Sequence, residues 1–143
     1  MSPTRLPVVR AILLADQVYQ DSLSGKFVIA GTFDQIHLHE IPGTHASTSV
    51  YLNLADFHGD HSLEVRLVRL EDGFEMGNSG AIPIEQSDRA LNAEFTLRLP
   101  PMEFDRTGPY AIEVLWDGEL LGECRIQVHK ADFDDEIVDD EDD

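Results

Sequence analysis

The stretch TGPYAIEVLWDGELLGECRIQV, residues 107–128, decides the fold prediction for this chain. Positions 110, 112, 114 and 116 carry large apolar residues, and a second alternating run follows Gly118. A period of two residues is typical of a strand with one buried face. Asp117 and Gly118 are residue types that favour a tight turn between antiparallel strands. The stretch therefore predicts a β-hairpin with one apolar face.

The register of this hairpin follows from which side chains can share the apolar face. A two-residue turn would pair Ile112 with Glu123 and place a charge on that face. A three-residue loop over 116–118, with Gly118 in the left-handed conformation, avoids this conflict and avoids pairing Glu113 with Glu123. The pairs predicted by this loop are Val114 with Leu120, Ile112 with Gly122, and Tyr110 with Cys124.

The segment Glu71-Asp72-Gly73 predicts a second turn of the same type. A three-residue loop at this point brings apolar side chains opposite apolar ones and a cation opposite an anion, which stabilises an antiparallel pair. The pairs predicted here are Leu70 with Phe74, Arg69 with Glu75, and Val68 with Met76.

Short strand-like runs with Gly and Pro between them continue through the chain, and no helix of three turns is predicted. Residues 7–19 are apolar on both faces, which is typical of a strand that is covered on both sides or that bends. Residues 91–99 alternate most regularly, and residues 82–84 predict a short edge strand. About eight strands favour an all-β antiparallel sandwich with Greek-key connections. We assign residues 1–130 to this domain and residues 131–143 to a disordered acidic tail.

The charge of the chain is strongly negative and uneven. There are 28 acidic and 10 basic residues, and nine of the acids lie in residues 132–143. Nucleic acids and anionic membranes are not expected as partners, because both require Lys and Arg to neutralise their own negative charge. With one cysteine, Cys124, no internal disulfide can form, and we interpret it as a small buried apolar residue. No secretory signal or membrane-spanning run is predicted, so we expect a cytoplasmic protein.

The segment Asp105-Arg106-Thr107-Gly108-Pro109-Tyr110 resembles the tyrosine corner of immunoglobulin-like domains. In those domains the Tyr hydroxyl bonds back to the preceding corner, so the resemblance implies an immunoglobulin-like form of the sandwich. Antibody domains place a cysteine two residues after this Tyr, where this chain has Ile112. The chain therefore departs from the disulfide-bonded branch, which disfavours an extracellular recognition role.

A broader resemblance covers most of the body of the chain. The segments VRAILLADQVYQDSLSGKFVIAGTFDQI, residues 9–36, and GPYAIEVLWDGELLGECRIQV, residues 108–128, carry it. Together they resemble a family of small uncharacterised bacterial proteins, a domain of unknown function. The resemblance implies a bacterial β-sandwich, and it implies no cofactor and no functional residues.

Histidines suggest the only metal sites that the sequence offers. The segment DFHGDH, residues 56–61, follows a predicted strand that ends at Gly59, and such a loop presents oxygen and imidazole ligands of the kind that calcium or zinc binds. An ordinary polar turn between strands contains the same residue types. The spacing of these residues matches neither a standard zinc ligand set nor an EF-hand. The candidate metal ligands are Asp56, His58, Asp60 and His61. His37 and His39 share one face of a predicted strand and form a second candidate pair, or a solvated face.

No catalytic motif is present, so we expect a protein that is not an enzyme. The leading hypothesis is an intracellular protein-interaction or accessory module without a cofactor. Its tail places Phe133, Ile137 and Val138 among nine acids, a pattern that favours docking on a basic, partly apolar partner protein, or else a solubilising end. The alternative function is a metal-binding sandwich that uses the 56–61 loop.

Overall fold

Residues 6–131 form twelve β-strands. The computed structural model describes residues 6–131, and nothing within them is helical, so the described part has no helix that could span a membrane. Residues 132–143, with the predicted docking positions Phe133, Ile137 and Val138, lie outside the described residues. The strands are β1 (Val8–Gln20), β2 (Phe27–Thr32), β3 (Gln35–Leu38), β4 (Gly43–His45), β5 (Thr48–Ala55), β6 (Gly59–Arg69), β7 (Phe74–Asn78), β8 (Ile82–Gln86), β9 (Ala93–Leu99), β10 (Met102–Phe104), β11 (Gly108–Trp116) and β12 (Glu119–Lys130).

The strands form two main sheets and one small one. Sheet A has the order β2-β1-β5-β9, and sheet B has the order β3-β12-β11-β6-β7 with β8 also paired to β6. A two-stranded sheet joins β10 to β4. Neighbouring strands are often far apart in sequence, as Greek-key wiring requires. The predicted all-β sandwich is confirmed, although one pair, β12 with β3, is parallel.

The sequence predicts about eight strands, and the structure shows twelve within residues 6–131. Strands β3, β4 and β10 have only four, three and three residues. A run this short completes at most two periods of alternation, so its sequence cannot be told from a loop. The predicted edge strand at 82–84 is confirmed as β8, which pairs with one side of β6.

The core lies between the inner faces of sheets A and B. Tyr110, Ile112 and Trp116 of β11 are at most 1% exposed, and Val50 and Leu52 of β5 meet them from the other sheet at 0% and 1%. Burying an apolar side chain of this size stabilises the fold by about 1.5–3 kcal/mol. The face predicted to be buried in residues 107–128 is therefore the face that forms the core.

The predicted register of the β11–β12 hairpin is wrong. Asp117 and Gly118 form a two-residue turn with φ values of 51° and 86°, and Trp116 pairs with Glu119. The register then shifts by one residue after Val114, at a β-bulge. Beyond the bulge the pairs are Val114 with Gly122, Ile112 with Cys124, and Tyr110 with Ile126.

The bulge removes the conflict that argued against a two-residue turn. It returns the apolar residues of both strands to one face, at the cost of pairing Glu113 with Glu123. Like charges directly opposite destabilise a sheet. Arg66 offsets this, because its Nε donates to Glu113 Oε1 at 2.7 Å, and Arg125 donates to Glu123 at 3.3 Å.

The predicted register of the second turn is also wrong. Arg69 pairs with Phe74 across a four-residue connection, and the register shifts between Leu67 and Val68. Arg69 explains the difference, because its guanidinium donates twice to Asp72 within the turn, at 2.6 and 3.0 Å, and once to Asp105 at 2.7 Å. The side chain therefore holds the turn instead of lying opposite Glu75.

Strand β1 bends, which explains why its apolar residues occupy both faces. A register shift lies between Val9 and Ala11, and β1 pairs with β5 only up to Ala15. Phe27, at the far end of the β1–β2 hairpin, nevertheless has its ring 5.9 Å from that of Tyr51 in the middle of β5. The hairpin therefore folds back over the outer face of sheet A, so β5 is covered on both sides.

The tyrosine corner is present. Tyr110 is fully buried, and its hydroxyl donates to the carbonyl of Arg106 at 2.8 Å. Its ring packs edge-on against Phe104 with centroids 4.8 Å apart. This bond fixes the crossing into β11 and confirms the immunoglobulin-like corner inferred from residues 105–110.

Replacing Tyr110 with Phe is expected to lower the free energy of unfolding by about 0.5–1.5 kcal/mol, because the bond from the Tyr110 hydroxyl to the Arg106 carbonyl is lost while the ring still fills its site. Urea unfolding followed by circular dichroism measures the change. Tyr19→Phe is the matched control, because Tyr19 is 49% exposed, and its effect should stay within about 0.5 kcal/mol. Equal stability of Y110F and the unmodified chain would contradict a structural role for the corner bond.

Candidate functional site

The predicted metal loop at 56–61 differs from the structure. A strand begins at Gly59 instead of ending there, so Asp60 and His61 lie on β6, opposite Glu85 and Ile84 of β8. Two residues with positive φ, Asp56 at 63° and Gly59 at 90°, turn the chain into this strand. Apolar and polar residues do not alternate clearly at the start of β6, so this part of the strand was not predicted from the sequence.

The imidazole groups of this segment bond to protein partners. His61 Nδ1 lies 2.7 Å from Asp117 Oδ2, and His61 Nε2 lies 2.8 Å from the carbonyl of His58. Arg89 donates to His58 Nδ1 at 2.5 Å and to Asp56 Oδ1 at 3.4 Å. Within residues 6–131, no group of three or more His, Cys, Asp or Glu side chains is placed to hold a metal ion. The contacts of these four residues thus give no support to the metal-site hypothesis.

His61 has a structural position at the tip of the β11–β12 hairpin. Asp117 accepts from the Ser62 backbone amide at 2.8 Å through Oδ1, and it meets His61 through Oδ2. The His61 ring stacks on Trp116 at 4.6 Å. Burial acts to lower the pKa of His61, but the bonds to Asp117 and the His58 carbonyl, with the charge of Asp117, raise it above 6.5 overall. Protonated His61, on β6, therefore stabilises the contact between this strand and the Asp117-Gly118 turn.

The bond between His61 and Asp117 predicts that the stability of the protein depends on pH. Because the pKa of His61 is raised in the folded state, its contribution is fully present below the unfolded pKa of about 6.5. The contribution is lost as pH rises through the folded pKa. We expect the stability difference between the unmodified chain and His61→Gln to shrink between pH 5.5 and 8.5, measured by urea unfolding. Asp117→Asn should remove most of this dependence, and a difference that grows with pH would contradict the assignment.

The second histidine pair is also different from the prediction. Strand β3 ends at Leu38, so His37 and His39 do not share a strand face. His37 instead pairs with His129 of β12, and their rings stack at 4.9 Å with planes 17° apart. His129 Nε2 lies 3.0 Å from Gln35 Oε1.

An apolar opening lies between the edges of the two sheets. A groove of about 440 Å³ separates β9 of sheet A from β6 and β7 of sheet B. Its floor is buried core, Val65, Leu67 and Ile112. The remaining lining residues are Arg66, Met76, Gly77, Asn78, Ser79, Leu97, Arg98, Leu99, Pro100, Pro101 and Met102. The groove therefore opens the core to solvent along one side of the sandwich.

Strand β9 forms one wall of the groove, and one edge of β9 has no partner strand among residues 6–131. Leu97 and Leu99 point towards the core but are only half-buried. Val50, paired with Leu97 on β5, is 0% exposed. The apolar side chains of β9 thus meet no opposing strand on the open side.

The charged residues that line the groove are both arginines. Arg66 and Arg98 line it, and no Asp or Glu does. Glu113 and Glu75 lie 2.7 and 3.9 Å from the Arg66 guanidinium. Arg98 is exposed, and no carboxylate within residues 6–131 forms an ion pair with it. The groove offers an apolar surface and a free strand edge, and Arg98 lies beside that edge on the outer face of β9.

The sequence analysis missed this groove. The clean alternation of residues 91–99 identified β9 as a strand with one apolar face. Alternation does not show whether a strand is central or lies at an edge, because both give the same period. The double proline at 100–101, directly after β9, is the one local signal for an edge position, because Pro disfavours the centre of a sheet.

The solved structures that resemble the chain include two bacterial proteins of low sequence identity. One is the Pseudomonas fluorescens alkylpurine DNA glycosylase AlkC bound to DNA containing an abasic-site analogue, with 15% identity, a TM-score of 0.40 and coverage of 67% of this chain and 27% of that chain. The other is an immunoglobulin-like protein from Pseudomonas aeruginosa, with 14% identity, a TM-score of 0.37 and coverage of 87% and 98%. The chain thus spans about a quarter of the glycosylase, 27%. No curated protein matches the sequence.

A family model matches residues 10–129, which is almost all of the sandwich. The match begins within β1 and ends within β12, so it takes in both main sheets and the groove between them. This agrees with the resemblance inferred from residues 9–36 and 108–128. The chain belongs to the family of unknown function DUF6941.

Proposed function

We propose that this protein is a non-enzymatic, intracellular protein-interaction module that binds an extended segment of a partner protein along β9. The observation that carries the proposal is the position of the groove directly beside a strand edge without a partner. These are the two features that strand addition needs, because backbone hydrogen bonds supply affinity and side-chain pockets supply specificity.

The groove and the edge suit an extended ligand. In a bound strand, alternate side chains lie about 6.6 Å apart on one face. One face of the ligand would contact Leu97, Leu99 and Met76, and the backbone would bond to the outer edge of β9. A groove of about 440 Å³ holds two or three apolar side chains.

The charged residues beside the groove favour a particular composition of the ligand. Arg98 lies on the outer face of β9 beside the free edge, so an acidic residue on the outer face of a bound strand would lie next to it, and a segment in which apolar and acidic residues alternate is favoured over a basic one. A charged pair at the rim of an interface affects orientation and association rate more than affinity. The basic partner predicted from the acidic tail would contact the tail and not this groove, and it remains a prediction.

The titratable groups support a role without catalysis. Cys124 is the lone thiol, and burial, with the charge of Glu123, raises its pKa to about 11. A thiol with this pKa is almost entirely protonated at neutral pH and is a poor nucleophile. Its Sγ donates to the Ile12 carbonyl at 3.2 Å, so it contributes to the packing of sheet A against sheet B.

A random peptide selection tests the proposal. Peptides of about twelve residues, long enough to pair with the whole of β9, are displayed on phage and selected on the immobilised full chain. We expect enriched sequences with apolar residues at alternate positions and acidic neighbours, binding with micromolar affinity in fluorescence anisotropy. Selection of basic peptides, or of none, would contradict the proposal.

A further inference from the structure

We propose that Glu94 and Arg98 of β9 set the direction of the bound segment, which runs antiparallel to β9 with an acidic residue opposite Arg98 and a basic residue opposite Glu94. This inference rests on the proposed function of the free β9 edge, and it adds the sequence motif that the edge recognises. Three features carry it: the room beside β9, the regularity of this edge, and the charges on its outer face.

The space beside β9 fits one strand. Sheet A ends at β9, whereas sheet B continues past β6 to β7 and β8. The groove reaches from Leu97 and Leu99 of β9 to Met76 of β7, so the free edge of β9 lies over sheet B instead of at its rim. A second copy of the chain paired at this edge would bring its own sheet B to the place that β7 occupies. A single extended segment of a partner meets no such obstacle.

The edge of β9 is more regular than the other sheet edges. Its seven residues include no Gly or Pro, and they pair with β5 without a register shift. Strand β2 contains Gly31 with a φ of 75°, β8 contains Pro83, β3 has four residues, and β7 meets β6 across a register shift. Short, kinked or proline-containing edges resist the addition of another strand. The edge of β9 therefore suits strand addition best.

Two opposite charges stand four residues apart on the outer face of β9. Glu94, Thr96 and Arg98 are exposed, whereas the residues between them are half-buried. The Tyr51 hydroxyl donates to Oε2 of Glu94, and the second carboxylate oxygen can accept a further bond. Arg98 has no carboxylate partner within residues 6–131. Because four residues of a strand span about 13 Å, the two charges contact different residues of a bound segment.

Antiparallel pairing converts this order of charges into a direction. Side chains directly opposite on one face have Cβ atoms about 4.5–5.5 Å apart, where opposite charges stabilise the pair and like charges destabilise it. In an antiparallel ligand, the residue opposite Arg98 precedes the residue opposite Glu94. From its N-terminal end the motif is therefore acid, apolar, any residue, apolar, base, with the apolar residues opposite Leu97 and Phe95. Antiparallel pairs are also slightly more stable per residue than parallel ones.

Two peptides of identical composition test the direction. One is Leu-Glu-Ile-Thr-Val-Lys-Leu, and the other is the same sequence reversed. Both have blocked ends, so terminal charges do not contribute, and both match the seven residues of β9. Fluorescence anisotropy with the full chain is expected to show about three- to tenfold tighter binding of the first peptide. The reason is that its two charge pairs are attractive, whereas those of an antiparallel reversed peptide are repulsive.

Exchanging the two charges of β9 should invert this preference. For the double variant E94R/R98E the reversed peptide is the complementary one, so we expect it to bind about three- to tenfold tighter than the first peptide. A folding defect cannot produce this gain. The matched control is E123R/R125E, which makes the same exchange on β12, an interior strand of sheet B. This control should keep the preference of the unmodified chain.

Equal affinity of the two peptides for the unmodified chain would overturn the inference and leave the proposed function in place, because the edge would then bind strands of either direction. An unchanged preference in E94R/R98E would also overturn it, because other residues would then set the direction. If no peptide binds at all, the proposed function fails and this inference fails with it. Peptide binding that weakens as the protein concentration rises would overturn the choice of occupant, because a second copy would then fill the edge.

Discussion

Replacing Trp116 with Ala is expected to lower the free energy of unfolding by about 3–5 kcal/mol, the range typical of a buried aromatic residue. Trp116 is 0% exposed and lies immediately before the Asp117-Gly118 turn. Its ring packs edge-on against Phe57 at 4.9 Å and stacks on His61 at 4.6 Å. The substitution thus opens a cavity at the point where the hairpin, β6 and the 56–61 segment meet.

One feature of Trp116 reduces the expected loss. Its Nε1 has no hydrogen-bond partner among residues 6–131, and burying such a donor costs about 1–3 kcal/mol. Trp116→Phe removes this donor and keeps most of the apolar ring, so it should destabilise the protein less than Trp116→Ala. Leu120→Ala is the surface control, because Leu120 is 52% exposed. Chemical denaturation measures all three, and a loss below about 1 kcal/mol for Trp116→Ala would contradict its core role.

Replacing Leu97 with Asp is expected to weaken the binding of selected peptides at least tenfold. The substitution places a carboxylate in the apolar wall of the groove, where a bound ligand would have to desolvate it. A tenfold loss corresponds to about 1.4 kcal/mol. Because Leu97 is only half-buried in the free protein, the fold should tolerate this change better than it tolerates a change at Ile112.

Thr96→Asp is the matched control for this prediction. Thr96 is the preceding residue on β9 and is exposed on the outer face of sheet A. The substitution adds the same charge to the same strand but not to the groove. Anisotropy with a selected peptide should show tenfold weaker binding for L97D and little change for T96D. Equal losses would assign the effect to net charge and would contradict a binding role for the groove.

The sequence predicted the class of fold because one hairpin contains most of the signal. Residues 110–116 alternate over four large apolar side chains, and a packed core needs this pattern from a half-buried strand. The tyrosine corner added a specific contact, and Tyr110 does donate to Arg106. Patterns of this kind can be recognised in the sequence because the residues that form them are close to one another along the chain.

The register was not predictable in the same way. The bulge after Val114 depends on Arg66 of β6, which meets Glu113 at 2.7 Å and offsets its charge against Glu123. Arg66 is 47 residues away from Glu113, so the hairpin alone gives no sign of it. The turn after Arg69 depends likewise on Asp105, which is 36 residues away.

The candidate site was hidden for a related reason. Histidines stood out in the sequence because of their chemistry, yet His61 is held by Asp117 and by the His58 carbonyl. The groove is lined largely by apolar residues such as the partly buried Leu97 and Met76, which carry no motif. What makes them a site is the absence of a strand beside β9 within residues 6–131, and only the sheet order shows that.

The central claim is that the free edge of β9 receives an extended ligand. Nuclear magnetic resonance detection of amide exchange, with and without a saturating selected peptide, tests it most directly. The expected result is slower exchange at alternate amides of residues 93–99, those that point away from β5, since a ligand strand would accept hydrogen bonds from them. Protection confined to other strands, with unchanged exchange along β9, would contradict the claim.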